Sequence, residues 1–206
     1  MNYLSGNKVI YGEIVMVNLM IIITGPSAAG KTILSKNLAN KFNLPLINKD
    51  EIKELLFDSL GTKDEEWAAA LGVTSFELLY LFTEKLCQTG KAFIVEGNFQ
   101  DKFAAKIFSG LKERYNYKIL QLYCHASDEV LYKRYIHRDN SGERHPGHII
   151  QISGLEEFKK RVTSKNFKLT IDDCITIDVD TTSFEDIRLE EIYENILENI
   201  NNTYTF

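Results

Sequence analysis

The stretch GPSAAGKT, from Gly25 to Thr32, constrains the fold of this chain more than any other part of the sequence. It closes the apolar, β-branched run Leu19–Gly25, which reads as a buried strand, and it opens a segment whose apolar residues follow helical spacing. Glycines near both ends of the stretch let the backbone wrap closely around a phosphate group, and a helix N-terminus adds positive potential there. The strand and helix on either side argue against a chance match and indicate a cradle for nucleotide phosphates.

The pattern of the GPSAAGKT stretch predicts a role for each of its residues. Lys31 is predicted to reach the β- and γ-phosphates of ATP and to act catalytically, and the Thr32 hydroxyl is predicted to bind Mg²⁺. The residues predicted to bind the nucleotide are Gly25, Pro26, Ser27, Ala28, Ala29, Gly30, Lys31, Thr32 and Ile33. A GTPase is excluded because its two further motifs would occur in reversed order, with Glu51 where an aspartate is required.

The rest of the chain alternates strands with helices, which predicts an α/β fold with a parallel sheet covered on both faces. Four further strands are predicted, at Leu46–Asn48, Ala92–Phe99, Tyr117–Cys124 and Cys174–Val179. Capping patterns predict helix starts at Thr74, Ser127, Ser153 and Ser183. Spacing also predicts a buried helix face at Phe103, Ala104, Ile107 and Leu111. We expect one domain over residues 19–206, preceded by an extension over residues 1–18 that forms an extra strand or a tail.

Composition narrows the function classes. A net charge of −5 disfavours a nucleic-acid-binding protein, although a local basic patch stays open. Three widely spaced cysteines without a CxxC pair are typical of a reducing, cytoplasmic setting and give no indication of structural zinc. The apolar run at Leu19–Ile23 is too short to span a membrane, so no membrane association is expected.

Polar residues at the ends of the second and third strands are candidates for binding a phosphate acceptor. Asp50 is placed to accept a proton from an acceptor hydroxyl, with its role as a simple helix N-cap as the alternative. Lys53, one helical turn later, is a candidate for an acceptor anion or for the transferring phosphoryl group. Glu96 closes an apolar run, where a charge is costly unless it is used, so it is predicted to act on Mg²⁺ or on the acceptor, with Asn98 beside it.

The segment RDNSGERHPGH, from Arg138 to His148, contains two of the chain's six arginines, and Arg134 precedes it by one helical turn. In a chain with 18 lysines, this selective use of arginine favours bidentate contacts to phosphate. Arg134 and Arg138 are predicted to be catalytic, Arg138 also to bind the nucleotide, and Arg144 and His145 to bind the acceptor. Two alternatives are a solvated surface loop and a metal site made of His137, His145 and His148 with Asp139 or Glu143.

Taken together, GPSAAGKT, NKDEIKE, FIVEGNF and the arginine-rich loop resemble the P-loop kinases grouped as AAA-type predicted kinases. That group is similar to zeta toxins, chloramphenicol phosphotransferases and polynucleotide kinase domains, and the resemblance covers the chain from about Met20. It implies a three-layer fold with strand order 2-3-1-4-5, an arginine-rich lid over about 134–150, and Asp50 in the position of the catalytic base. Lys53 departs from the arginine that polynucleotide kinases have at this position, which weakens the case for a polynucleotide substrate.

The resemblance and the residues together predict an ATP- and Mg²⁺-dependent kinase that acts on a hydroxyl of a small-molecule acceptor, as a monomer or homodimer. A nucleoside or polynucleotide kinase and a nucleotide-binding switch without an acceptor are the alternatives.

Overall fold

The computed structural model describes residues 18–142, 144–148 and 152–201, with side chains up to residue 199. Residues 1–17 of the expected N-terminal extension lie outside these ranges. Asn18 marks the start of the described chain, and its side-chain amide donates a hydrogen bond to the carbonyl of Tyr115 at 2.9 Å.

Five parallel strands form the central sheet in the order β2-β3-β1-β4-β5. Their bounds are β1 Leu19–Thr24, β2 Leu46–Asn48, β3 Phe93–Glu96, β4 Lys118–His125 and β5 Ile175–Asp180. The α/β class, the parallel pairing and the strand order are confirmed. The predicted strands are correct to within one residue at each end, except that β3 ends at Glu96 and leaves Gly97 to Phe99 in the following loop.

Helices cover both faces of the sheet. Their bounds are α1 Lys31–Phe42, α2 Lys49–Leu60, α3 Glu65–Cys87, α4 Asp101–Tyr115, α5 Asp128–Ser141, α6 Leu155–Phe158 and α7 Leu189–Asn201. A π-helical turn, Lys159–Thr163, continues α6, and a 3₁₀ turn, Phe184–Asp186, precedes α7. No helix in the described ranges is long and apolar enough to cross a membrane.

The two faces of β1 bury two separate cores because successive side chains on a strand point in opposite directions. Ile21 and Ile23 belong to the core that also contains residues of α1, α5 and α7. Met20 and Ile22 belong to the core that contains residues of α3 and α4. All four side chains are fully buried, which explains the continuous apolar run in the sequence.

The predicted helix start at Thr74 is wrong, since α3 runs without interruption from Glu65. Asp64 is the N-cap residue and accepts a hydrogen bond from the backbone N–H of Trp67 at 2.8 Å. The Thr74 hydroxyl instead donates to the carbonyl of Ala70 at 3.1 Å, an interaction typical of a threonine inside a helix.

Other boundaries differ by smaller amounts. Ser127 caps α5 as predicted. Helix α6 begins after Gly154 rather than at Ser153, whose backbone N–H and hydroxyl donate hydrogen bonds to Glu157. After Ser183 the chain forms only the 3₁₀ turn, and α7 begins at Leu189. The predicted buried face of α4 is partly wrong, because Phe103 is 61% exposed and Phe108 is fully buried in its stead.

Candidate active site

A cavity of about 880 Å³ lies beyond the carboxyl ends of the strands, where ligands of open α/β sheets bind. The GPSAAGKT loop, the first turns of α2, the end of β3, helix α5 and the loop after it form its wall. The residues predicted as site residues that line it are Ser27, Ala28, Ala29, Gly30, Lys31, Thr32, Ile33, Asp50, Lys53, Glu96, Asn98, Arg134, Arg138 and Arg144. Gly25, Pro26 and His145 are not among the lining residues, and His148 is.

The conformation of the GPSAAGKT loop depends on small residues with left-handed backbone angles. Ala28 and Gly30 have φ values of 65° and 72°. A Cβ atom at Gly25 would lie 2.1 Å from the carbonyl oxygen of Cys124, so only glycine fits at this point of the sheet. The Lys31 ammonium donates a hydrogen bond to the carbonyl of Pro26 at 2.8 Å, which folds the lysine back across the loop. Gly25 and Pro26 therefore shape the loop, while the residues after them face the cavity.

Glu96 lies at the centre of the site because β3 pairs with β2 on one side and with β1 on the other. The Thr32 hydroxyl donates to its Oε2 atom at 3.2 Å, and the Asn48 side-chain amide donates to the same oxygen. The Glu96 residue is 3% exposed, and its burial raises the pKa of the carboxyl group to about 7, although the positive charge of Lys31 opposes this. A buried carboxylate beside a threonine hydroxyl fits the hard oxygen ligands and bound waters that Mg²⁺ prefers.

Asn48 is a site residue that the sequence analysis missed. Besides bonding Glu96, it caps α2: its Oδ1 atom accepts hydrogen bonds from the backbone N–H groups of Asp50 at 2.7 Å and of Glu51 at 3.1 Å. The alternative of Asp50 as the N-cap is therefore wrong. The polar residue directly before KDEIKE, at the end of a short strand, was the available signal for the cap.

With the cap provided by Asn48, the Asp50 carboxylate is free to face the cavity. Its side chain is 57% exposed, and the ammonium of Lys49 lies 2.9 Å from its Oδ1 atom. Desolvation at this position favours the neutral acid, but the charge and hydrogen bond of Lys49 outweigh it and hold the pKa of Asp50 well below its ordinary value. The carboxylate is thus kept ionised at the wall of the cavity.

The two arginines of α5 have different environments. Arg138 Nη2 donates to the Ser27 hydroxyl at 3.2 Å, and its buried Nε atom has no hydrogen-bond partner in the part of the chain that the structure describes. Arg134 Nη2 donates to the carbonyl of Thr181 at 2.6 Å, and its guanidinium stacks 4.3 Å from the ring of Phe184. Arg138 therefore has a donor available for a phosphate oxygen beside the loop, whereas Arg134 also anchors the segment after β5.

The segment after α5 folds over α2. The Arg144 guanidinium pairs with Asp139 and lies 4.7 Å from the ring centre of Tyr135. Gly147 packs against Phe57 so closely that a Cβ atom there would lie 2.3 Å from the Phe57 ring. We call residues 144–148, which make this contact, the lid segment.

Two histidines fasten the lid segment to α2. His145 Nδ1 accepts a hydrogen bond from the Gly147 backbone N–H at 3.0 Å, which leaves Nε2 to donate to Asp58 at 3.0 Å. His148 Nε2 lies 3.2 Å from Glu54 Oε1. Burial, together with the positive charges of Arg144, Lys53 and Lys49, lowers the pKa of His148 to about 4 against the opposing effect of Asp50. The sequence predicted that His145 would contact the acceptor, but the structure places His148 at the cavity and His145 behind it.

The metal alternative for this loop is not supported within the described ranges. They contain no group of three or more His, Cys, Asp or Glu side chains that could hold a metal ion. Glu143, one of its predicted ligands, lies outside them. The unpartnered Arg138 Nε and the left-handed turns at Ala28 and Gly30 fit a bound nucleotide phosphate instead.

Comparison with protein families matches residues 20–153 to a family described as AAA domain. The match covers more than half of the chain. The chain belongs to this AAA domain family. Its fold and relatives make it a P-loop kinase domain of the predicted kinase group.

Two solved structures share the architecture over nearly the whole chain. An inferred kinase from Chloroflexus aurantiacus J-10-fl is 33% identical, with a TM-score of 0.81 over 89% of this chain and 98% of that chain. A sugar kinase from Janibacter sp. HTCC2649 is 15% identical, with a TM-score of 0.52 over 90% of this chain and 95% of that chain, and it shows similarity of fold alone. Among curated proteins, a tRNA dimethylallyltransferase of Onion yellows phytoplasma (strain OY-M) is 40% identical over 62 residues. That match spans 30% of this chain and only 21% of the transferase.

Proposed function

We propose that this protein is an ATP- and Mg²⁺-dependent kinase that transfers the γ-phosphoryl group of ATP to a hydroxyl group of a small-molecule acceptor. The observation that carries the proposal is the Asp50 carboxylate, which Lys49 keeps ionised and which opens onto the same cavity as Lys31 and the phosphate cradle. An ionised carboxylate opposite a phosphate cradle is the arrangement that a kinase needs in order to accept the proton of the attacking hydroxyl.

The phosphate end of the cavity supplies positive charge for the transferring group. Lys31 exchanges its hydrogen bond to the Pro26 carbonyl for the β- and γ-phosphates, and the free Nε of Arg138 donates to a phosphate oxygen. Thr32 and Glu96 are the residues that would hold Mg²⁺, and the bound ion would supply positive charge that offsets that of the phosphates. A divalent cation beside Glu96 would lower the pKa of its carboxyl group, which is about 7 without the metal.

The acceptor end supplies the base. The acceptor hydroxyl lies between Asp50 and the γ-phosphorus, its proton passes to the Asp50 carboxylate, and its oxygen forms the new bond to phosphorus. The bond from the γ-phosphorus to the bridging oxygen breaks, and ADP leaves with that oxygen. The lid segment, fastened to α2 through His145 and His148, closes this end and limits attack by water.

The experiment that tests the proposal is a transfer screen with γ-³²P-ATP and Mg²⁺ over sugars, sugar acids, antibiotics, nucleosides and oligonucleotides. We expect label to appear in a small hydroxyl compound at a rate well above the release of inorganic phosphate. Label only in oligonucleotides would favour a polynucleotide kinase, and slow hydrolysis without any labelled acceptor would favour a nucleotide switch. Either result would contradict the proposal.

A further inference from the structure

The cavity is far more basic than the protein as a whole. Nine lysines and arginines and four carboxylates belong to its described lining, whereas the whole chain has a net charge of −5. Four of the nine cations, Lys36, Lys49, Arg144 and Arg161, are paired with carboxylates. Three more donate hydrogen bonds to protein oxygen atoms at the phosphate end. Most of the positive charge is thus already engaged.

Lys53 is the exception inside the wall. Lys53 is only 9% exposed, yet no hydrogen bond or ion pair links its ammonium to any residue that the structure describes. The centre of the Phe57 ring lies 5.2 Å from the Nζ atom. Arg138 Nε is the only fully buried side-chain nitrogen or oxygen without a partner among the described residues, so Lys53 Nζ still opens to the cavity. A charge with so little exposure and no hydrogen-bonded counter-ion is costly, although the negative charge of Asp50 offsets part of that cost. Lys165, the remaining cation of the lining, avoids this cost because it is exposed.

Lys53 lies near the proposed base, Asp50, and therefore at the acceptor end of the cavity rather than at the ATP end. It lies one helical turn after Asp50 on α2, so the two side chains begin roughly 5 Å apart along the helix. The Lys53 ammonium lies beside α3, where a Cβ atom added at Gly72 would be 3.5 Å from Nζ, and Lys53 lines the same cavity as Asp50. An anion bound there would meet Lys53 one helical turn from the proposed base.

We propose that the phosphate acceptor carries a fixed anionic group, a carboxylate or a phosphate ester, in addition to its reactive hydroxyl, and that Lys53 binds this group. The inference rests on the proposed function. The anionic group supplies Lys53 with the hydrogen-bonded counter-ion that the described residues do not provide, while the hydroxyl lies at Asp50. Because the two side chains are one helical turn apart, a small molecule with both groups spans them. Neutral sugars and neutral antibiotics are therefore poor acceptors.

The first test does not depend on knowing the acceptor. Wild-type protein is saturated with a non-hydrolysable ATP analogue and Mg²⁺, and its lysines are trace-acetylated with acetic anhydride and quantified by mass spectrometry. Acetate and inorganic phosphate serve as minimal probes, with ionic strength matched by KCl. We expect at least one probe to slow acetylation of Lys53 by about threefold, as a probe at twice its dissociation constant does, while acetylation of the exposed Lys106 is unchanged.

The pattern of protection identifies the anionic group. Protection by acetate alone identifies a carboxylate, and protection by phosphate alone identifies a phosphate ester. Equal effects on both lysines, or no effect on Lys53, overturn the inference.

The second test uses the acceptor found in the transfer screen. Lys53→Met removes the charge but keeps an unbranched side chain against Phe57, and Lys106→Met is the matched control on α4. We expect Lys53→Met to raise the acceptor KM by about 10- to 100-fold, the loss of one charge-assisted hydrogen bond, with the ATP KM within about twofold. A neutral acceptor used equally well by both variants overturns the inference and leaves the kinase proposal standing. Absence of transfer to any acceptor counts against the kinase proposal, and the acetylation test still decides the role of Lys53.

Discussion

The ammonium of Lys49 lies 2.9 Å from the carboxylate of Asp50, its neighbour in the chain, at the start of α2. The Lys49 side chain is 7% exposed, whereas that of Asp50 is 57% exposed and faces the cavity. The buried Lys49 ammonium thus stabilises the negative charge of an accessible carboxylate. This pair sets the ionisation of the proposed base, and the first prediction follows from it.

Lys49→Met is expected to move the acidic limb of the pH profile of kcat/KM to higher pH. The charge and hydrogen bond of Lys49 hold the pKa of Asp50 below its ordinary value, so their removal moves that pKa upward. The base of the variant is then protonated at a pH where that of the wild type is still ionised. The measurement is phosphoryl transfer against pH at saturating ATP, with Lys106→Met as control. Superimposable profiles for wild type and Lys49→Met would contradict this role.

Glu96→Gln is expected to change the pH dependence of stability in the metal-free protein. Burial raises the pKa of Glu96 to about 7 in the folded state from 4.5, so the folded state holds the proton more tightly than the unfolded state does. Its stabilising contribution is present below pH 4.5 and is lost as pH rises through about 7. The wild type should therefore lose about 3 kcal/mol relative to Glu96→Gln over this range.

Urea unfolding at a series of pH values in EDTA measures this difference. Adding Mg²⁺ should stabilise the wild type more than the variant at pH 7.5, because only the carboxylate attracts the cation. A difference in unfolding free energy that stays constant between pH 4.5 and 7.5 would refute the assignment of this pKa to Glu96.

Arg138→Lys is expected to lower kcat/KM by about 10- to 100-fold with little change in thermal stability. Lysine keeps the charge but cannot bond Ser27 and present the free Nε donor to phosphate at the same time. Arg114→Lys is the matched control, because Arg114 is exposed and forms an ion pair with Glu84 outside the cavity lining. Steady-state kinetics and thermal melting of both variants separate a lost phosphate contact from a loss of stability. Equal kinetic effects of the two substitutions would argue against a phosphate contact of Arg138.

Gly147→Ala is expected to prevent the lid segment from seating on α2. The new Cβ atom would lie 2.3 Å from the ring of Phe57, which is itself buried. The expected result is a higher ratio of ATP hydrolysis to acceptor transfer, because an open site admits water. Gly154→Ala is the matched control, since a Cβ atom there meets nothing within 4 Å. An unchanged ratio in Gly147→Ala would show that the contact does not govern closure.

The fold was predictable because its signals are local and repeated. The β-branched run at Leu19–Ile23 and the glycines of the following loop dictate a buried strand and a phosphate cradle, and the alternation of elements then limits the sheet to few arrangements. The strand order came from the family resemblance rather than from periodicity. The helix start at Thr74 was missed because a capping pattern inside a helix looks the same as one at its beginning.

The sequence indicated which strand ends bring the candidate residues together, but not the contacts among those residues. Strand ends placed Asp50 and Glu96 at the same edge of the sheet, as the register of β2, β3 and β1 requires. The sequence could not show that Asn48 bonds Glu96, nor that His145 bonds Asp58, because both depend on side-chain directions across separate elements. His148 lines the cavity and His145 does not, because the chain turns between them. Residue propensities do not predict the direction of side chains in so short a turn.

The most direct test of the kinase account is Asp50→Asn, measured for phosphoryl transfer and for binding of a non-hydrolysable ATP analogue. The amide cannot accept the hydroxyl proton, while the phosphate cradle keeps all its donors. The account predicts that transfer falls by about 100- to 10,000-fold, with the dissociation constant of the analogue within about twofold of wild type. Asp172→Asn, an exposed change before β5, is the control and should leave both values unchanged. Transfer by Asp50→Asn at the wild-type rate would contradict the assignment of Asp50 as the base.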